Sequence, residues 1–339
     1  MPLAAERRCG HHHAMTSPAH VDPPHLPSLQ TLVDAADAGL HPWVHRHVPT
    51  ATRREALAEE LGFWLNTAAQ DLEYAAAYAT DAPQSGQPVE AYLDRWVAID
   101  ADAQVLIGPR YLGRDPDLPF VSVSASSRPL RPPDRDNLVI AAVGSFDAFR
   151  PGFVMLTTAD PIDAWPDTSP ERRHLVGRLG DLRRADDVPA ELTVSRRADI
   201  DFYQRYQQIH DAHVVRSAEH ARHSRVESPK DLMALAAEGL LFDVKVAGTW
   251  AGIVAAQPDA RRGIRGATVV ELILDDSYRG CGYGRHLSAL LAKALAMPDD
   301  DCLMGTIHAH NLPSYRSAIG AGRVDVGGEI NIPINTYSS

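Results

Sequence analysis

The run Val270-Glu271-Leu272-Ile273-Leu274-Asp275-Asp276-Ser277-Tyr278-Arg279-Gly280-Cys281-Gly282-Tyr283-Gly284-Arg285 constrains this chain more than any other segment. It reads as an apolar strand, a short polar turn and a glycine-rich loop that leads into a helix. Leu287, Leu290, Leu291, Ala294 and Leu295 give that helix an i, i+3, i+4, i+7, i+8 face, and Pro298 stops it. Gly280, Gly282 and Gly284 let the backbone come close to a ligand. The unpaired amides of the first helical turn, at the positive end of the helix dipole, suit a diphosphate. Cys281, Tyr283 and Arg285 alternate with the glycines and lend backbone amides to the same cradle. A Gly-Lys-Ser/Thr phosphate loop is absent, and the third glycine of a dinucleotide fingerprint is replaced by Arg285. The spacing that remains is Arg-x-x-Gly-x-Gly at Arg279, Gly282 and Gly284. A glycine-rich turn that holds no ligand is the competing reading.

The flanking pattern supports a ligand. Phe202, Tyr206 and Ile209 repeat along an amphipathic helix, and Pro229–Glu238 begins a second. Leu241–Val246 and Trp250–Ala255 read as strands joined across Ala247-Gly248-Thr249. Thr268–Leu274 reads as a strand, Gly282–Ala296 as a helix, Cys302–Ile307 as a strand and Leu312–Ile319 as a helix. Val324–Val326 and Glu329–Ile334 finish as short strands. Before the last helix stands His308-Ala309-His310-Asn311-Leu312-Pro313-Ser314-Tyr315, with Asn311 placed as an N-cap and Pro313 in the first turn.

In element order, glycine loop and Asn-headed helix, residues from about Ala198 to Pro333 resemble the GNAT acyltransferase superfamily. The resemblance covers about two fifths of the chain. It implies acetyl-CoA (or another acyl-CoA) as cosubstrate, with its diphosphate on Arg279 through Arg285 and its pantetheine arm near Asn311 and Ser314. The backbone at Leu272, Ile273 and Leu274 would then polarise the thioester carbonyl. The implied activity is an N-acetyltransferase of the acyltransferase class (EC 2.3.1), acting on a primary amine of a small molecule.

Two departures from the family pattern bear on the chemistry. Arg323 replaces the usual Phe after the closing Gly322, and Ala318 stands where many members place a proton-donating Tyr. Tyr315 lies one turn earlier on nearly the same face, so it is either the substitute acid or a packing residue. Glu271 is a charge inside an apolar strand. Buried, it needs a partner; it is either the base that deprotonates the amine or a structural residue, paired with an arginine or set on an exposed strand face. His308 and His310 follow the next strand and are further candidates for proton transfer. No Ser/His/Asp elbow occurs, and no cysteine sits in an evidently basic stretch, so direct transfer is favoured over an acyl-enzyme. The competing class is a GNAT-like acyl-CoA sensor or partner subunit with the chemistry lost, or the same scaffold turned to another biosynthetic reaction.

Upstream, Met1–Ser28 lacks periodicity and reads as a disordered tail; its His11-His12-His13 is no preorganised metal site, and no metal is expected. Residues 29–185 read as a separate α+β domain. Leu29–Leu40 and Thr50–Tyr78 are expected helices, the latter capped by Thr50 or Thr52, and Val89–Trp96 a short one. Gln104–Ile107, Phe120–Ala125, Leu138–Val143 and Phe153–Thr157 are expected strands, and the charged stretch Ser169–Pro189 a linker. This half has no phosphate loop of its own, and a degenerate GNAT-like half packed on residues 195–335 is one fold consistent with it. The whole therefore reads as α+β, a mixed central sheet flanked by helices. A net charge of −11 and the lack of basic clusters with aromatic neighbours argue against nucleic acid. No apolar run reaches the ~20 residues that span a bilayer, no signal segment is evident, and three cysteines suggest no disulfide framework. The expected setting is cytoplasmic, with no membrane partner and with a homodimer or partner subunit possible.

Overall fold

The computed structural model describes residues 26–82, 85–216 and 226–334. Most of the expected tail, including His11-His12-His13, lies outside them. Helices α1 (Leu29–Ala38), α2 (Pro42–His47) and α3 (Thr50–Phe63) open the fold. Ser28 caps α1 by accepting from the amide of Thr31, whereas Pro49 rather than Thr50 or Thr52 heads α3 and makes no side-chain cap. Helix α2 went unforeseen because six residues are too few for a period to show. The single helix expected over Thr50–Tyr78 is broken. A π-helical turn over Trp64–Ala68 ends α3, and α4 (Leu72–Asp81) restarts at Asp71, whose carboxylate accepts from Glu73 and Tyr74 amides at 2.8 and 3.3 Å. The apolar period continues across the break, which is why the sequence hides it.

Strands β1 (Arg95–Ala98), β2 (Gln104–Tyr111) and β3 (Pro119–Ser126) follow. Val89–Tyr92 is a short 3-10 turn rather than a helix to Trp96. The expected strand Leu138–Val143 is instead the middle of helix α5 (Arg135–Phe146), with Leu138, Ala141, Ala142 and Phe146 buried. A short apolar run cannot be told from a buried helix by period alone; here Asp134, which accepts the Arg131 amide at 2.7 Å, turns the chain into a helix. Strand β4 (Phe153–Thr158) comes next. The expected linker is overturned: Ser169–Arg178 is strand β5 and Leu179–Arg183 helix α6. Its charges are consumed by partners. Arg173 forms two 2.9 Å hydrogen bonds to Asp325, and Glu171 accepts from Asn331 at 2.9 Å.

The rest runs β6 (Leu192–Arg196), α7 (Tyr203–Arg216), α8 (Pro229–Glu238), β7 (Leu241–Val246), β8 (Thr249–Arg261), β9 (Ile264–Leu274), α9 (Leu287–Ala294), β10 (Cys302–His308), α10 (Leu312–Gly320) and β11 (Val324–Pro333). Ala247 and Gly248, both at positive φ, close the β7–β8 hairpin. Strand β6 was not foreseen, and the two final strands are one irregular strand, β11.

Among the described residues all the strands form one mixed sheet in the order β1-β2-β3-β4-β11-β5-β10-β9-β8-β7-β6. Leaving out β6, this order is a palindrome if β1, β2, β3, β4 and β5 are matched to β7, β8, β9, β10 and β11. In each half three antiparallel strands lead through a helix (α5 or α9) to a fourth strand parallel to the third. The fifth strand of each half then pairs with the fourth strand of the other: β11 with β4, and β5 with β10. The cores follow the exchange. Ile330 and Ile332 of β11 are buried with Val121, Leu138, Phe146 and Val154, while Leu179 and Leu182 of α6 are buried with Leu291 and Leu303. The units expected at 29–185 and 195–335 thus contribute to one sheet and to each other's cores.

Candidate active site

The candidate site lies where strands β9 and β10 part. They pair only over Gly266–Thr268 and Cys302–Met304, and then diverge while each keeps its other neighbour. A Cβ on Gly266 would collide with the Cys302 carbonyl oxygen, so glycine permits the close approach at the closed end. A bulge helps open the other end. Ala255 faces Glu271 but Ala256 faces Val269, so Val270 is an extra residue that kinks β9. The other half has the same device at Ser124, between Leu106 facing Ala125 and Ile107 facing Val123. Backbone groups at a parted pair have no ladder partner and need another one.

Beyond β9 the glycine loop takes the expected course. Gly280 and Gly282 have φ of 75° and 84°, the left-handed region that favours glycine, with open space where their side chains would be. Tyr283–His286 is a 3-10 turn that feeds α9. Arg279 fastens the loop to the strand, its Nε donating to Leu274 O at 2.9 Å and lying 3.3 Å from Asp276. Cys281 is exposed, its Sγ 3.6 Å from the Arg279 carbonyl. Tyr283 donates to Glu191 at 3.4 Å, and Arg285 Nε stands 3.1 Å from His286 Nε2. Ile273 and Leu274 are buried, and the Leu272 amide donates to Glu271 Oε1 at 3.0 Å.

The second motif meets the first. A Cβ on Gly284 would lie 3.0 Å from Ser317 Oγ of α10, and one on Gly320 would lie 3.5 Å from the Arg285 Cβ. Asn311 caps α10, its Oδ1 accepting from the Ser314 amide at 3.3 Å. Arg323, in place of the family's Phe, is wholly buried and donates to Leu175 O at 2.7 Å; burial lowers its pKa to about 10. Gly305 and Gly177 make room for it, since a Cβ on Gly305 would strike the guanidinium.

The four residues considered for proton transfer stand in three separate clusters, His308 and His310 sharing one. Glu271 faces α7, where its Oε2 accepts from Tyr206 Oη at 2.8 Å and lies 3.2 Å from His210 Nε2. Tyr206 in turn accepts from the Glu227 amide at 3.0 Å. Burial, and then the Glu271 charge, push the Tyr206 hydroxyl far up, so it stays a donor; burial and the same charge raise Glu227. Neither of the sequence alternatives for Glu271, an arginine partner or an exposed face, is what the fold provides. Along the chain Tyr206 reads only as part of the apolar face of α7, and nothing in the sequence marks His210, one turn on, as its companion. Tyr315 donates to Asp325 Oδ2 at 3.1 Å, beside Arg173, and its hydroxyl is raised by burial and by Asp325. His308 lies 3.9 Å from Glu171, and its Nδ1 lies 3.4 Å from the His310 amide. The thiol of Cys302 is pushed up to about 12 by burial and by Asp301, which makes it a poor nucleophile.

No family model matches the chain, and no curated protein does. Several solved structures are similar. A GNAT-family acetyltransferase from Colwellia psychrerythraea is 10% identical, over 90% of this chain and 97% of its own, with a TM-score of 0.45. A GCN5-related N-acetyltransferase from Sphaerobacter thermophilus is 11% identical, over 76% and 92%, with a TM-score of 0.43. One from Kribbella flavida is 13% identical, over 78% and 95%, with a TM-score of 0.40. Among the described residues no helix is long and apolar enough to cross a membrane. By its own strand order, with β9 leading through a glycine loop and α9 to a parallel β10, the chain is GNAT-like in fold.

Proposed function

We propose that this protein is a CoA-dependent N-acyltransferase that moves an acetyl group directly to a primary amine of a small molecule. The single observation that carries the reading is the continuity of β9, the Gly280–Gly284 loop and α9 beside a parted strand pair. It supplies amides for a diphosphate at one end and unpaired backbone for an acylated arm along the strands. Glu271 accepts the proton of the amine, and Tyr206 and His210 hold its carboxylate in place. A thiolate leaves readily at neutral pH, whereas an alkylammonium cannot attack until it loses a proton, so the base matters more than the acid. The test is CoA release, followed with a thiol reagent over a panel of amines. Turnover with at least one primary amine supports the reading.

A second reading is favoured by Tyr315. Its hydroxyl is committed to Asp325, and Ala318 carries no acid, so a sensor that binds acyl-CoA without turnover fits that corner of the fold. Saturable acetyl-CoA binding with no CoA release from any amine would select it.

A further inference from the structure

Helices α1 and α3 roof a cavity of about 390 Å³ over the middle of the sheet, where the two halves meet. We propose that this cavity is the acceptor pocket, and that the acceptor is a small primary amine with an apolar, ring-sized body and a single charge. The assignment rests on the acyltransferase reading above.

Position is the first argument. The floor takes in β3 and β4 of one half, β9 and β10 of the other, and the exchanged strands β5 and β11. On β9 and β10 it reaches Thr268 and Met304, the last residues to pair before those strands part, and goes on to Gly305 and Thr306. Glu271 lies just beyond the Val270 bulge on the same strand. An amine in the cavity therefore approaches the parted pair from its closed end, while the glycine loop lies at the open end.

Size and lining give the chemistry. The volume lies in the lower part of the range for small-molecule pockets, roughly 300–1,000 Å³, and Leu32, Leu57, Leu61 and Trp64 make the roof apolar. The charges in the wall are already matched. Arg128 pairs with Asp100 and Asp134, Arg131 with Asp160, Arg261 with Asp259, and Arg262 with Glu329. Glu60 accepts the Arg262 amide at 2.6 Å. Matched arginines offer little to a second CoA diphosphate, and matched carboxylates offer little to a polyamine. An apolar-bodied monoamine is what remains. At the floor, His174 Nε2 and Glu329 Oε2 are buried without a hydrogen-bond partner, 3.7 Å separating that nitrogen from the other carboxylate oxygen.

The test uses the full chain with 2-phenylethylamine, spermidine and glucosamine as probes, read by saturation-transfer NMR and by CoA release. Two variants fill the cavity from opposite walls, Ala36→Trp from α1 and Ser122→Leu from β3. The expected result is preference for 2-phenylethylamine. In each variant that melts cooperatively, its Kd and KM should rise roughly tenfold or more with acetyl-CoA affinity unchanged. Preference for spermidine or glucosamine, or unchanged 2-phenylethylamine binding in both variants, overturns the assignment. CoA release at an unchanged KM in the filled variants leaves the acyltransferase reading standing and removes the pocket. Amine binding that the variants abolish, without CoA release from the wild type, removes the acyltransferase reading and the acceptor role together.

Discussion

At the scale of single residues, the proposed chemistry turns on how buried carboxylates are held. Glu271 is fixed by a tyrosine and a histidine from α7, so replacing it tests the base without removing a charge partner of an arginine. Glu271→Gln is expected to lower kcat by roughly 10²-fold, the usual contribution of a general base, and to remove the acidic limb of the pH–rate profile. An unchanged rate and profile would move the search to Glu227, His308 or His310. His174 offers a stability test. Burial, then the neighbouring Arg262, lowers its pKa from 6.5 to about 4, so the folded state binds its proton less well than the unfolded chain does. The sign follows directly: its contribution is fully present above pH ~6.5 and is lost as pH falls toward 4, on the order of 3 kcal/mol in all. Urea unfolding across that window should show stability dropping with acid, and His174→Gln should flatten the slope. An equal slope in the variant would mean that other groups carry it.

At the scale of elements, the glycine loop is the part on which the proposed function most depends. A Cβ added at Gly282 meets no neighbour within 4 Å, so the surrounding fold does not crowd it. Its φ of 84° nevertheless strains any L side chain, by roughly 1–3 kcal/mol, and the new Cβ projects into the space a diphosphate would use. Gly282→Val is therefore expected to weaken acetyl-CoA binding by roughly tenfold or more, while the protein still unfolds cooperatively. Calorimetric titration beside a melting curve checks both parts. In the wild type, saturating acetyl-CoA should slow amide exchange across Arg279–Ala289; unchanged exchange there would sink the phosphate reading.

At the scale of the whole molecule, the strand exchange decides which pieces can stand alone. Residues 26–184 made by themselves lack β11, so β4 and β5 lose their shared neighbour and the core of that half loses Ile330 and Ile332. Burying each isoleucine contributes roughly 1.5–3 kcal/mol, a large part of ordinary domain stability of about 5–15 kcal/mol. The expectation of an independently folding N-terminal unit is replaced by its opposite: that fragment should show no cooperative urea transition, and should regain one when mixed with residues 185–339. A sharp transition in the isolated fragment would contradict the exchange as a stability determinant.

What the sequence determined by itself was local. Glycines at the turn into α9, Asn311 at the head of α10, and the strand and helix periods from Leu241 to Gly320 are written in spacings of a few residues, so they were legible along the chain. Tertiary structure decided everything that depends on distant partners. Ser169–Pro189 reads as a charged linker because the residues that pair with its first part, Asp325 and Glu329 by charge and Asn331 by a hydrogen bond, lie on a strand at the far end of the chain. Leu138–Val143 became a helix because a turn at Asp134 and one buried face overrode a strand-like apolar run. The α7 partners of Glu271, the palindrome of strands and the cavity beneath α1 and α3 arise only when segments far apart in sequence are brought to the same place. The short-range spacings from which a single sequence is read carry no record of such contacts.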